Sequence, residues 1–208
     1  MSKVNIAVFV SGGGTNMQAV IDKIETNEIN GEIKVVISSN DRAFAIERAK
    51  KYNIKSEVVA KKDYPDESKR TEKILSILKD NEIDLIVLGG YMSILGEALI
   101  NQYRNKIINV HPALIPSFCG QGYYGRRVHE AVVEYGVKLS GATVHFVDEG
   151  TDTGPIIMQE SVKITHEDTA DTVSEKVLKI EHRLLPEAVK LYCNNQIAVE
   201  GRIVKIEE

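Results

Sequence analysis

The fold is decided at residues 4–16, which read VNIAVFVSGGGTN. The β-prone residues 4–10 predict a buried strand, and the glycines that follow break it. After the glycines, apolar residues recur at helical spacing, which predicts a helix from 16 to about 25. A strand, a glycine turn and a helix in this order are typical of the first unit of an α/β fold.

Strand and helix patterns alternate as far as residue 111. The predicted strands are 33–38, 56–60, 85–88 and 106–110, and the predicted helices are 42–52, 69–81 and 98–103. This alternation favours a mostly parallel sheet with helices on both faces. Ligands of such sheets bind outside the carboxyl ends of the strands, so the loops after Val10, Leu88 and Val110 should lie along one rim.

The second half of the chain changes character. Two strands, 141–147 and 155–160, are predicted to pair antiparallel because the loop between them is short. The other predicted elements are a helix at 128–135, a long amphipathic helix from 169 to about 191, and a terminal hairpin at 197–206. Together the patterns predict an α/β fold, a Rossmann-like three-layer sandwich, with a mostly parallel sheet and an antiparallel portion in the C-terminal half.

Composition excludes several functional classes. The chain has 208 residues, of which 43% are hydrophobic and 27% charged, and its formal net charge is −4. This fits a sizeable globular domain and lacks the basic footprint of a nucleic-acid binder. Its 2 cysteines form no CxxC motif, which favours a reducing cytoplasm. Neither a signal peptide nor an apolar run near the ~18 residues of a membrane span is recognisable, so we expect no membrane partner.

The end of the strand before Pro112 carries the most informative side chains. Asn109 and His111 are two positions apart, and such side chains point to the same side of a strand. An amide that steadies an oxyanion beside an imidazole that moves a proton suits acyl transfer. In the acidic loop 148–155, Asp152 would stabilise the imidazolium if it faced His111. The alternative interpretation of that loop is a solvated acidic hairpin.

The glycine turn after the first strand predicts an anion site, most often for phosphate. Glycines let several N–H groups point at one spot, and the helix amino terminus adds partial positive charge. Thr15 and Asn16 would add donors or cap the helix. The alternative is a plain tight turn with a helix cap, since the segment matches neither GxGxxG nor GxxxxGK[ST].

A second glycine pair, at 89–90, precedes apolar residues. These glycines would let a flat ligand approach the backbone. Met92, Ile94 and Leu95 would then line a slot for an aromatic ring. The alternative interpretation is ordinary core packing before a helix.

The remaining histidines and cysteines have weaker functional cases. A metal site from His111, His145 and Asp152 matches no known ligand spacing, so we predict no metal and treat His145 as a supporting polar residue. The other predictions are a surface position for His129, a loop position for His166, a structural role for His182, and an incidental thiol for Cys119.

Four motifs in sequence order resemble those of the glycinamide ribonucleotide formyltransferases, a folate-dependent family of purine synthesis. They are SGxGTN at 11–16, GYMxIL at 90–95, NxHPxLxP at 109–116 and VHFVDEGxDxGP at 144–155. The NxHP element is shared with methionyl-tRNA formyltransferase and formyltetrahydrofolate deformylase. The Gly-Thr-Asn of the first loop resembles the phosphate-binding segment of the glycinamide ribonucleotide enzymes.

The resemblance implies formyl transfer from 10-formyltetrahydrofolate, as a co-substrate, to the amine of glycinamide ribonucleotide, with no metal. The catalytic residues it implies are Asn109, His111 and Asp152, and the phosphate ligands are Gly14, Thr15 and Asn16. The implied folate contacts are Arg70, Met92, Ser93, Ile94, Leu95 and Asn109. It further implies a single domain, 1–208, with a phosphate-binding half at 1–105 and a catalytic and folate half at 106–192. The expected protein is a cytoplasmic monomer or weak homodimer that acts on small molecules.

The sequence also departs from the family pattern. Ser93 stands where the family often has arginine, and the loose register near residue 70 makes Arg70 a best guess for the folate tail. Segment 119–127 is interpreted either as a mobile lid whose Arg126 and Arg127 meet an anionic ligand or as a solvated loop. The rival hypotheses are a formyl-folate enzyme acting on another amine or on water, a binding module without catalysis, and an unrelated nucleotide-dependent oxidoreductase.

Overall fold

A computed structural model describes residues 2–207 of the chain. The chain divides into two compact units, Met1–Ile108 and Asn109–Glu208, and the boundary falls inside the strand β5 (Ile107–His111). The single domain and its functional halves, 1–105 and 106–192, stay a prediction.

The first unit alternates strands and helices, as the sequence predicts. Its elements are β1 (Val4–Val10), α1 (Thr15–Glu25), β2 (Gly31–Ser38), α2 (Phe44–Lys51), β3 (Lys55–Val58), α3 (Glu67–Asp80), β4 (Leu85–Leu88), α4 (Glu97–Gln102) and the start of β5. Strands β3, β2, β1 and β4 lie side by side in that order, and each neighbouring pair is parallel. Every residue of β4 is buried, and β1 is buried from Ile6 to Val10. Strands covered on both faces explain the unbroken apolar runs.

The parallel pairing of β1 and β4 brings their carboxyl ends to one edge of the sheet. The loops that follow these two strands meet there, since the Met92 N–H donates a 2.8 Å hydrogen bond to the Ser11 hydroxyl. For the loops after Val10 and Leu88 the predicted shared rim is thereby confirmed. For the loop after Val110 it stays a prediction.

The second unit is built from strands that pair mainly antiparallel. Its elements are the end of β5, α5 (Arg126–Tyr135), β6 (Leu139–Phe146), β7 (Ile156–Lys163), α6 (Ala170–Cys193), β8 (Ile197–Glu200) and β9 (Ile203–Ile206). Strands β6 and β7 pair antiparallel, as the short loop between them predicts, and β8 and β9 form the predicted hairpin. Strand β9 also pairs parallel with β7 at Ile156 and Ile203.

Helix α6 covers the antiparallel strands through one apolar face. Its amino end is closed by a capping box in which Thr169 and Thr172 exchange side-chain and backbone hydrogen bonds. The buried face recurs every three or four residues, at Val173, Val177, Ile180, Leu184 and Val189. Among residues 2–207 no helix, α6 included, combines the length and apolar character needed to cross a membrane.

The predicted fold class is confirmed as a mixed α/β fold, mostly parallel with antiparallel C-terminal strands. The errors lie at element ends. Helix α5 begins at Arg126 rather than at 128, because its first turn is exposed and adds nothing to the apolar stripe. Strand β7 continues to Lys163 rather than to 160, because half-buried and exposed residues still alternate there.

We predict that Gly141→Ala destabilises the second unit by about 1–3 kcal/mol, the usual cost of forcing extra carbon into a packed site. A Cβ at this glycine would lie 2.0 Å from the Glu160 carbonyl oxygen of the paired strand and 2.9 Å from Leu114. Urea denaturation followed by circular dichroism measures the change. The matched control is Gly13→Ala, where an added Cβ meets no atom of the described residues within 4 Å. Equal stability of the two variants would contradict the prediction.

Candidate active site

The glycine turn between β1 and α1 is held in place by α2. The Ala45 N–H donates to the Gly12 carbonyl at 3.0 Å, and the Arg48 Nε donates to the Gly13 carbonyl at 2.8 Å. Gly14 adopts φ 71°, and a Cβ there would lie 2.6 Å from the Ala45 Cβ. Only glycine satisfies both the left-handed conformation and this close approach.

Arg48 is a residue that sequence reasoning missed. Besides holding Gly13, its guanidinium donates to the Gln18 side chain at 3.2 Å and lies over the Phe44 ring, 5.2 Å from the centroid. It therefore joins the second helix to both the turn and α1. No local signal in the sequence separates this arginine from the exposed cations around it.

The amino end of α1 is open to an acceptor from outside the helix. Its N-cap is Gly14, and within residues 2–207 no side chain caps it and no acidic residue lies in its first turn. The plain-turn interpretation required a capped helix, so this observation favours the anion interpretation. Thr15 is exposed at the start of the helix, whereas Asn16 is buried.

The loop after β4 is docked on β1 by two hydrogen bonds and one ring contact. The Gly89 N–H donates to the Phe9 carbonyl at 2.8 Å, and the Met92 N–H donates to Ser11. The rings of Phe9 and Tyr91 meet edge to face, 5.2 Å between centroids. Ser11 thus ties this loop to the glycine turn, and its hydroxyl also shares a 2.6 Å hydrogen bond with the hydroxyl of the half-buried Ser39.

The core-packing interpretation of this loop is wrong for two of its residues. Met92 is 58% exposed and Ile94 is 81% exposed, which leaves apolar surface for a ligand, whereas Leu95 is buried. Ser93 is half-buried and hydrogen-bonds to Tyr91, whose pKa is raised by burial. Arg70 lies on α3 and is buried, and its Nη1 donates to a backbone carbonyl at 3.0 Å.

In the second unit, Asn109 and His111 meet the same cluster of polar side chains, as their two-residue spacing predicts. The Nδ1 of His111 lies 3.5 Å from the Asp152 Oδ2, and its Nε2 is 2.8 Å from the Phe118 carbonyl oxygen. The amide Nδ2 of Asn109 lies 3.2 Å from the Nε2 of His145. Both ring nitrogens of His111 therefore face oxygen acceptors.

Asp152 is aimed into the protein, which excludes the solvated-hairpin interpretation for this residue. Its side chain is only 12% exposed, and its Oδ2 accepts a hydrogen bond from the Gly120 N–H at 3.0 Å. The residue has φ 58°, a left-handed conformation that aspartate tolerates better than most residues. Asp148 stabilises the loop by accepting from the Gly150 N–H and the Thr153 hydroxyl.

His145 completes the cluster from β6. Its Nδ1 lies 2.8 Å from the Phe146 carbonyl oxygen, and its Nε2 lies 3.8 Å from the Asp152 Oδ1. The side chain is 2% exposed, and this burial lowers the pKa of the imidazole. His145 therefore belongs to the same polar cluster as Asn109 and Asp152.

One prediction about the neighbouring helix was wrong. His129 is buried, not on the surface, because it shares the inward face of α5 with Val128 and Val132. Burial lowers the pKa of His129, and the nearby charges of His111 and Arg126 act in the same direction. This face was visible in the sequence as an apolar stripe that the histidine interrupts.

The arginines of segment 119–127 are already engaged. Arg126 pairs with Asp171 and with Glu130, so it is not an uncommitted ligand for an anion. Arg127 lies over the exposed Tyr124 ring, 5.0 Å from the centroid. The prediction that this segment is a mobile lid stays a prediction.

His166 and Cys119 behave as predicted, and the structural role of His182 stays a prediction. His166 is exposed in the loop before α6. The Cys119 thiol donates to a backbone carbonyl at 3.3 Å. Burial and the nearby carboxylate of Asp152 raise the pKa of this thiol, which disfavours the reactive thiolate.

Comparison with known proteins identifies relatives of this arrangement. Residues 4–189 match the family model described as formyl transferase. Phosphoribosylglycinamide formyltransferase of Bacillus subtilis is 36% identical over 184 residues, 88% of this chain and 92% of that protein. The crystal structure of glycinamide ribonucleotide transformylase 1 from Symbiobacterium toebii superposes with a TM-score of 0.94 at 34% identity, covering 100% of this chain and 95% of that one. A formyltetrahydrofolate deformylase from Pseudomonas syringae shares the fold, with a TM-score of 0.90 at 24% identity over 99% of this chain and 66% of its own.

We predict that Arg48→Met loosens the glycine turn without unfolding the protein. A hydrogen bond from a charged group contributes about 1.5–3 kcal/mol, so the amide protons of Gln18 and Ala45, which donate to the Gly14 and Gly12 carbonyls of the turn, should exchange roughly tenfold faster or more. Hydrogen exchange read by mass spectrometry or NMR measures this change. The matched control is Arg42→Met, an exposed arginine just before α2, which should leave the rates unchanged. Unaltered exchange in the Arg48 variant would show that the turn holds its shape without this side chain.

Proposed function

This chain belongs to the formyl transferase family, and on that premise we propose that it acts as a phosphoribosylglycinamide formyltransferase in purine (IMP) biosynthesis. In this proposal it transfers the formyl group of 10-formyltetrahydrofolate to the amine of 5-phosphoribosyl-glycinamide. The curated relative and the solved structure that cover nearly the whole chain carry the name of this activity.

The contact between His111 and Asp152 is the observation that carries the proposal. A carboxylate 3.5 Å from a buried imidazole orients the ring and stabilises its protonated form. Asn109 belongs to the same cluster and supplies an amide N–H. A protein that only binds ligands has no need of an oriented acid–base pair beside an oxyanion donor.

The proposed reaction proceeds by direct attack. The substrate amine adds to the formyl carbon and forms a new C–N bond, while the carbonyl oxygen becomes an oxyanion. Asn109 donates an N–H to that oxyanion, and the His111 imidazolium, held by Asp152, stabilises the same charge. His111 then helps to transfer a proton from the attacking nitrogen to N10 of the folate, and the bond between N10 and the formyl carbon breaks.

The proposed role of His111 requires one exchange of hydrogen-bond partners. Its Nδ1 faces Asp152, and its Nε2 faces the Phe118 carbonyl. The nitrogen that reaches a substrate oxygen is therefore Nε2, and the substrate replaces the Phe118 carbonyl. This assignment leaves Asp152 in place during the reaction.

We assign the substrate phosphate to the turn at Gly14, Thr15 and Asn16. The open amino end of α1 and the fixed Gly12 and Gly13 carbonyls support this assignment. Helix dipoles favour an anion at this position by roughly 0.3–1 kcal/mol at exposed sites.

We assign the folate to the loop after β4. The exposed apolar surface of Met92 and Ile94 supports contact with a flat ring, and Leu95 supports the loop from beneath. Ser93 and Asn109 are proposed as polar contacts. Arg70 remains our assignment for the folate tail, although its guanidinium is committed to a backbone carbonyl, so it would contact the tail with its remaining N–H groups.

The proposal includes no metal and no partner beyond small molecules. The formyl-folate is consumed in each turnover and is therefore a co-substrate. We propose a cytoplasmic monomer or weak homodimer, in keeping with the acidic composition and the 2 cysteines of the chain.

A formyl-transfer assay tests the function directly. The purified protein is mixed with glycinamide ribonucleotide and 10-formyltetrahydrofolate, and the release of tetrahydrofolate is followed. Turnover that requires both substrates supports the proposal. Folate release without the amine would indicate a deformylase, and equal rates with glycinamide lacking the ribose phosphate would contradict the phosphate assignment.

We predict that His111→Ala lowers kcat by about 10²–10⁴-fold, the usual contribution of general acid–base catalysis, with little change in the binding of either substrate. Steady-state kinetics measure kcat and KM separately. The matched control is the exposed His166→Ala, which should keep wild-type rates. Near-normal turnover of the His111 variant would refute the mechanism.

We predict that Asp152→Asn also lowers kcat and moves the alkaline limb of the pH–rate profile to lower pH, because the proposed mechanism uses the protonated form of His111. Asparagine keeps the shape and the acceptor for the Gly120 N–H but removes the negative charge beside His111. Without that charge the imidazolium loses stabilisation, so its population should fall at a given pH. The profile of kcat between about pH 5 and 9 measures the effect. A lower rate with an unshifted profile would mean that Asp152 acts through loop structure alone.

A further inference from the structure

His145, the buried histidine of β6, has a hydrogen-bond partner that can only accept. The Nδ1 of His145 lies 2.8 Å from the Phe146 carbonyl oxygen. A carbonyl oxygen only accepts, so the proton of the ring must reside on Nδ1. In a neutral imidazole the other nitrogen, Nε2, then carries a lone pair and only accepts.

The backbone around His145 is built for this contact. The pairing of β6 with β7 shifts register between Val144 and His145, an irregularity of the kind that re-aims side chains beside active sites. Gly154 lies against the same Phe146 carbonyl, and a Cβ there would be 1.8 Å from the oxygen. The glycine therefore leaves space for this carbonyl beside the loop that carries Asp152.

The lone pair on Nε2 determines the orientation of the neighbouring Asn109 amide. Nε2 of His145 lies 3.2 Å from Nδ2 of Asn109. With the amide reversed, Oδ1 would face the lone pair and the two acceptors would repel each other. Only the orientation with the NH₂ group toward His145 forms a hydrogen bond.

The surrounding charges agree with a neutral ring. Asp152, His111 and Asp148 are the titratable groups that act on His145. The Asp152 Oδ1 lies 3.8 Å from Nε2, too far for a hydrogen bond, while the same carboxylate is nearer to His111. Burial lowers the pKa of His145 and so keeps the ring neutral.

We propose that His145 is a positioning residue that fixes the Asn109 amide with its NH₂ group toward the imidazole, which leaves the second N–H for the reacting oxygen. The inference rests on the proposed function for this catalytic consequence. The two histidines of the cluster then have separate tasks: His111 uses the carboxylate and moves a proton, and His145 orients the amide. A freely rotating amide would present oxygen to the oxyanion for part of the time.

A double-mutant comparison tests this dependence. His145→Leu removes the acceptor and should lower kcat by about tenfold to a hundredfold, less than the ~10²–10³-fold cost of losing an oxyanion donor, with KM for both substrates nearly unchanged. In an Asn109→Ala background the same substitution should cost nothing further. An equal loss in both backgrounds would overturn the proposal, because His145 would then act without Asn109.

A conservative variant separates positioning from mere packing. His145→Gln places an amide oxygen near the original Nε2 and should recover part of the rate that His145→Leu loses. Thermal denaturation of all variants checks that they fold. If the Leu and Gln variants are equally stable and equally slow, a hydrogen-bond acceptor at position 145 does not contribute to the rate, and the proposal fails.

The tautomer can be observed without any activity. Nitrogen-15 NMR of the histidine rings at pH 7–8 should show His145 protonated on Nδ1 only. Protonation on Nε2 would overturn the inference even in an active enzyme. A wild-type protein that transfers no formyl group contradicts the proposed function instead, and the NMR result still decides the orientation of Asn109.

Discussion

The carboxylate of Asp152 is nearly buried and therefore needs donors from several parts of the chain at once. A buried anion without partners costs several kcal/mol, so the segments that supply donors must converge on it. Gly120 offers a backbone N–H, and His111 offers its Nδ1 from the end of β5. Asp152 in turn keeps a left-handed backbone that the loop before β7 stabilises through Asp148. The polar end of the second unit is organised around this requirement.

In the first unit the comparable constraint is steric. Gly14 allows the turn to approach Ala45 more closely than any side chain would, and that approach lets Arg48 reach the Gly13 carbonyl. The hydroxyl of Ser11 then joins the turn to the loop after β4. The proposed phosphate and folate contacts of this unit thus lie on one hydrogen-bonded edge of the sheet. A displacement of either loop should therefore displace the other.

The proposed chemistry depends on which of the two histidines, His111 or His145, interacts with the Asp152 carboxylate. If both rings were charged, they would compete for Asp152, and Asn109 would face a donor in place of an acceptor. Burial of His145 prevents this and leaves the carboxylate to His111. Catalytic sites often place titratable groups in unlike environments so that each keeps one protonation state.

The sequence by itself determined the order of the strands and helices. It also placed Asn109 and His111 on the same side of their strand, because the alternation of side chains along a strand is a local property of the backbone. It likewise determined the antiparallel β6 and β7, since a short loop permits no other direction. Only the tertiary structure decided that Asp152 turns inward and that Arg126 pairs with Asp171 far along the chain. It also decided which nitrogen of His145 carries the proton. These outcomes depend on which groups packing brings together and removes from water, and that information is absent from any local stretch of sequence.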